Sequence, residues 1–238
     1  STNNNLSVLA DSGILSLDGT ITPGQTIVDK VVVEGATTFY TFGVESGVLR
    51  VWDGGSGVNN NWTQAPNWSN DQVPLNNGSE LLVFAGSVRP NPLTDVAWDV
   101  RGIRFDRNST NFNLSGSNIT LGLKGINQNS TNRQIINNNI VLSSNAPIRA
   151  NFGNLVLAGV IDSAGYAINA EGFYTLDFSN NITGNGSFIK AGGGSAYLNG
   201  GTNNFNRLEA AAGTVYINSS LTTVTNASTN GVVDVAGA

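Results

Sequence analysis

The stretch Gly194–Ile217, GSAYLNGGTNNFNRLEAAAGTVYI, restricts the fold of this chain more than any other. It holds two strand-length pieces, each introduced by Gly. Ala196 and Leu198 share one parity of the first piece and Val215 and Ile217 one parity of the second, and such period-two alternation marks a strand that buries one face. Gly200, Gly201, Asn203 and Asn204 place a corner between them. Strand, corner, strand, corner is the pattern of a solenoid, in which no coil can bury its apolar face alone and each must stack on the next.

Similar pieces recur along the chain, at 113–123, 134–142, 146–152, 154–161, 173–182, 186–191, 196–198, 207–210, 215–217 and 231–235. Asn-Ile-Thr-Leu at 118–121 returns as Asn-Ile-Val-Leu at 139–142 and Asn-Leu-Val-Leu at 154–157. Spacings of roughly 15 to 25 residues fit the coils of a parallel β-helix. Helical periodicity is weak, and the one helix-tolerant stretch, 208–212, is too short to form an element. The expected fold is all-β: a right-handed parallel β-helix with an irregular β-rich N-terminal region. A β-sandwich is the competing architecture, but it does not require a recurring local signature. An interruption is expected at Gly102, where the apolar parity changes from Val96, Trp98 and Val100 to Ile103 and Phe105.

Three regions follow. Residues 1–50 read as an N-terminal β module or irregular first coils, with strands at 12–21, 25–34, 37–45 and 47–52 and turns at Pro23-Gly24, Glu34-Gly35 and Ser46-Gly47. Tyr40, Phe42 and Val44 alternate with polar positions, and the region holds five of the sixteen acidic residues. Residues 51–95 form a Trp-rich loop or cap region, and 96–238 the β-helix coils. Trp52, Trp62 and Trp68 fall within seventeen residues of loop-like sequence. They admit two readings: indoles folded over the open end of the stack, or a platform for carbohydrate or partner contact.

Two sets of residues resemble known proteins. Gly194, Leu198, Asn199, Gly200, Asn203, Phe205 and Gly213 resemble the autotransporter-associated β-strand repeat of secreted bacterial passenger domains. There a Gly-led strand ending in Leu-x-Gly is followed by an Asn-containing turn, an aromatic and a second Gly-led strand. Trp52-Asp53-Gly54-Gly55, Trp62, Asn67-Trp68-Ser69, Pro74, Gly78 and Leu82-Val83-Phe84 are similar to a series found in large secreted bacterial β-helix proteins. The resemblance implies an extracellular location at a bacterial surface, and a β-barrel of the outer membrane following the passenger.

Composition narrows the function classes. Only 11% of residues are charged, against roughly 25% in an ordinary soluble domain. The net charge is −5 and the basic residues are scattered, so no nucleic-acid partner and no membrane contact are expected. With no His and no Cys, Ser-His-Asp, Cys-His and thiolate redox chemistry and ordinary zinc sites are ruled out. No calcium-loop motif is present, and no cofactor is expected. Carboxylate hydrolysis, or β-elimination by Arg or Lys on an acidic polysaccharide, remains chemically open. The densest charged group is Asp95, Asp99, Arg101, Arg104, Asp106 and Arg107, read as a surface ion-pair cluster. The many Asn-x-Ser/Thr triplets are read as Asn stacked at coil corners rather than as glycosylation sites.

The absence of Met, even at position 1, points to a processed chain or a fragment. The sequence closes on VVDVAGA, an apolar strand in which Val232, Val233 and Val235 are the expected strand-pairing residues, joined by further coils of a longer chain or by a second copy. The expected function is a non-enzymatic structural or adhesive protein of the bacterial exterior, self-associating end to end into a fibre. A carbohydrate-binding module for cell-surface glycans and a polysaccharide-degrading enzyme are the alternatives.

Overall fold

The computed structural model describes residues 26–34, 37–44, 48–219 and 221–235. The expected strand at 12–21 lies outside the described residues. Strands β1 (Thr26–Glu34) and β2 (Thr37–Val44) form an antiparallel hairpin in which Val31 pairs with Tyr40 and Val28 with Phe42. From β3 (Leu49–Trp52) onward every strand pairing is parallel, through β4 (Leu81–Phe84), β5 (Leu93–Thr94) and β6 (Trp98–Phe105) to Val232–Val235. Among the described residues these strands form a twelve-stranded and an eight-stranded sheet, stacked as a parallel β-solenoid of about seven turns.

A middle coil has three strands. Gln134–Ile136 lies in the smaller sheet, while Ile140–Leu142 and Ala146–Ala150 both pair with the one long strand Ile119–Gln128 of the larger. Alternation within each strand sends every second residue inward, and parallel pairing then lines equivalent residues into columns. Trp98, Ile119, Ile140, Ile161 and Ile182 are one such column. Leu114, Ile136, Leu157, Phe178, Leu198 and Ile217 are another, on the opposing sheet. All are buried in one continuous core, where each aliphatic side chain contributes about 1.5–3 kcal/mol. The two pieces of Gly194–Ile217 occupy the same face of consecutive coils, Ala196 on Val215 and Leu198 on Ile217. Between them Thr202–Ala210 is a single strand.

Coil length falls along the smaller sheet. Leu93 with Ser115 and Asn113 with Ile135 span equal lengths of chain, as do Ile135 with Val156 and Val156 with Asp177, and Leu176 with Ala196, Ala196 with Val215 and Val215 with Val233 then each take one residue less than the return before. The shortening falls at the corners, since the pairing in the strands stays in register.

The start of the stack differs from expectation. Stacking begins at Leu49, not at position 96: β3 pairs with β4, Leu49 on Leu81. The Trp-rich region is thus part of the first turn, in which Asn61 pairs in parallel with Leu93 and extra chain within 53–80 includes the short 3-10 turns Ala65–Asn67 and Ser69–Asp71. At Gly102 the pairing of β6 with Ile119–Gln128 shifts register, as the change of parity requires.

Candidate functional site

Trp52, Trp62 and Trp68 are all brought together, and all are fully buried. Trp52 and Trp68 meet edge to face at 5.2 Å, Trp62 and Trp68 at 5.9 Å, and Trp62 reaches Trp98 at 5.5 Å. Phe84 lies among them, 5.6 Å from Trp62. The platform reading is therefore corrected: no indole presents a face to a ligand, because the rings fill the interior of the first turn. A loop can bury such rings only if its polar backbone is satisfied, and Asn67 does this. Buried itself, it donates through Nδ2 to the carbonyls of Asn59 and Asn61 and accepts the Ser56 N–H at Oδ1. Trp68 Nε1 donates to the Trp62 carbonyl at 2.7 Å. Glu80, also buried, accepts from Arg50 Nε at 3.1 Å and from the Leu75 N–H at 2.7 Å.

The charged group does not converge on a reactive centre. Asp95 accepts from the Thr63 N–H and hydroxyl, Asp106 pairs with the buried Arg104 at 3.6 Å, and Arg107 lies over the Phe152 ring at 5.2 Å. Among the described residues no group of three or more acidic side chains is placed to hold a metal ion.

Polar side chains instead run from coil to coil. Asn137 donates to Asn113 at 2.6 Å, Asn151 to Asn129 at 2.8 Å, and Asn218 to Asn199 at 2.8 Å, with Asn199 itself donating to Asp177 at 2.7 Å. Arg149 bridges two neighbouring coils, to Asn127 at 3.0 Å and Glu171 at 2.9 Å. Tyr197 and Tyr216 stack in adjacent coils, 4.6 Å apart and 12° from parallel.

Besides Glu80, a second buried ionisable group, Lys190, is missing from the sequence-based expectations. Lys190 pairs with Ala170 on one side and Ala210 on the other and is buried. Its ammonium donates to the carbonyls of Ala191 and Gly192, both at 2.8 Å. Burial lowers its pKa to about 8, against a smaller opposing pull from Glu171. The alternation Phe188, Lys190 is the available signal, since Phe188 marks the inward parity of Ser187–Lys190.

The expected pairing strand Val232–Val235 is the outermost described strand of the smaller sheet and pairs on one side, with Thr214–Ile217. Val233 packs on the core, whereas Val232 and Val235 are 55% and 50% exposed. Val235 is paired with Ile217 and so continues an interior column.

No family model, curated protein or solved structure matches the chain.

Proposed function

We infer that this chain is a non-enzymatic structural or adhesive element of a bacterial exterior, a stiff spacer that extends end to end through the Val232–Val235 strand. The observation that carries this reading is how the side chains are used: inward residues form unbroken columns and corner amides bond from one coil to the next. Such a body transmits force along its axis, and about seven turns at ~4.8 Å each give a rod of roughly 34 Å. The placement outside a bacterial cell rests on composition and on the resemblance of Gly194–Gly213 and of the Trp-rich series to secreted passenger proteins. The partner in this reading is a second copy or a further coil seated on Val233 and Val235.

Electron microscopy of native material tests it. Rods, fibres or surface spikes are the expected result, with Val233→Lys shortening or dispersing them. Dispersed particles that cleave pectin- or alginate-like polymers, with the activity lost in Arg101→Ala, would overturn the reading in favour of an enzyme. A glycan-array signal that persists in Val233→Lys would move the function to carbohydrate binding.

A further inference from the structure

The outer face of the first turns is covered, and the outer face of later turns is not. In β4 and β6, Leu82, Phe84, Ile103 and Phe105 point into the solenoid. The alternate residues point out, yet Leu49, Leu81 and Val83 form a second, separate apolar cluster with Val51 against it, and Leu81 and Val83 are 3% and 2% exposed. Arg104, next in the column after Val83, is 3% exposed, whereas Asn127 and Arg149, which continue that column, are only half-buried. A cover is thus seated on β3, β4 and β6 and ends there. Three strands at ~4.8 Å spacing present a strip roughly 10 Å across.

We propose that the β1–β2 hairpin is this cover, lying flat on the outer face of β3, β4 and β6 as a second layer. Three observations select it. The chain from Val44 to Leu49 spans at most roughly 18 Å, so the hairpin is tethered beside β3. Its sequence carries Tyr40, Phe42 and Val44 on one parity of β2, with Val31 and Val28 paired to Tyr40 and Phe42, which supplies an apolar face for an apolar strip. The charges lean toward the same assignment: the hairpin carries Asp29 and Glu34 against Lys30, while the neighbouring strands carry Arg101, Arg104 and Lys124. Gly102 and Gly125 continue the Leu49–Leu81 column, with Lys124 and Pro147 seated where their side chains would stand.

Amide hydrogen exchange on the whole 238-residue chain tests the proposal. Val83→Asp places a charge in the covered strip and is expected to speed exchange across 26–44 by tenfold or more, with rates at 134–217 unchanged. Hairpin amides that exchange as in the parent protein overturn it. Should Val83→Asp disturb the solenoid as a whole, Phe42→Asp approaches from the other side. It is expected to release 26–44 and raise apolar-dye fluorescence several-fold with the solenoid still melting cooperatively, and an unchanged dye signal overturns the proposal. Light scattering in the Val233→Lys background, where end-to-end association is removed, separates the remaining occupant: twice the chain mass that persists with Phe42→Asp added and falls to one chain with Val83→Asp added assigns the strip to a second copy and overturns the hairpin.

Discussion

In the first turn the chain travels from Leu49 to Leu81 before it returns to the same place in the sheet, and in a middle turn only from Ile119 to Ile140. The two turns fill their interiors by different means. The middle turn uses residues that strand alternation delivers inward, small enough that Ile140 and Leu142 close on the next coil without help. The first turn imports its bulk from a loop: Trp62 and Trp68 lie outside the paired strands and are held by hydrogen bonds placed one at a time, from Asn67, the Trp62 carbonyl and Glu80. Repetition therefore gives the middle its tolerance, whereas the beginning depends on particular residues.

The largest expected effect tests that dependence. Trp68→Ala should cost about 4 kcal/mol in denaturant unfolding, since it opens a ring-sized hole among Trp52, Trp62 and Phe84. Because coils contact mainly their neighbours, hydrogen exchange should show the loss between positions 49 and 105, with 134–217 still protected. Equal loss in both regions would erase the distinction between the two turns.

Lys190 gives the next effect, within the repetitive part. Its pKa in the fold, about 8, lies below the ordinary 10.5, so the folded state is penalised for carrying the charge. The penalty is fully present below pH 8 and fades as pH rises from about 8 to 10.5, where the unfolded chain binds more protons than the folded one. Stability should rise across that window by up to about 3 kcal/mol relative to Lys190→Met, whose profile lacks the step. Parallel pH profiles for the two proteins would mean that the ammonium reaches solvent.

The smallest effects compare two asparagines. Asn67→Ala should cost about 2 kcal/mol, because the Asn59 and Asn61 carbonyls and the Ser56 N–H lose a buried partner. Asn199→Ala, in an exposed corner ladder, should cost about 0.5 kcal/mol. Thermal melts that rank them in the reverse order would show that the ladders, and not the loop, hold the structure.

The middle is legible in the sequence because its code is local. Gly-led strands, corner Asn residues and the parity change at Gly102 each specify backbone within a few positions, and the stacking follows. The code does not name the face. Asn-Ile-Thr-Leu at 118–121 and Asn-Ile-Val-Leu at 139–142 stack directly, but Asn-Leu-Val-Leu at 154–157 lies in the other sheet, since an apolar strand after a corner Asn reads alike on either side. The first turn is less legible. Its extra chain hides the repeat, so alternation reveals coils only from position 96, and tryptophans without strand periodicity carry no sign of whether they face inward or outward. Lys190 escapes a sequence reading because its parity points inward while its residue type points out.

The shortening of the coils has a consequence for how such a chain can vary. In the smaller sheet, strand columns hold their register while the turn between equivalent positions contracts, from the Leu93–Ser115 return to the Val215–Val233 return. Small gains and losses of chain on that side are thus absorbed at corners and do not reach the pairing, whereas at Gly102 in the larger sheet the extra chain is taken up as a shift of register. A deletion at such a corner is a change of girth rather than a frameshift of the fold. Sequences of this kind can be lengthened, trimmed or spliced coil by coil, and a neighbouring coil is matched by circumference before it is matched by chemistry.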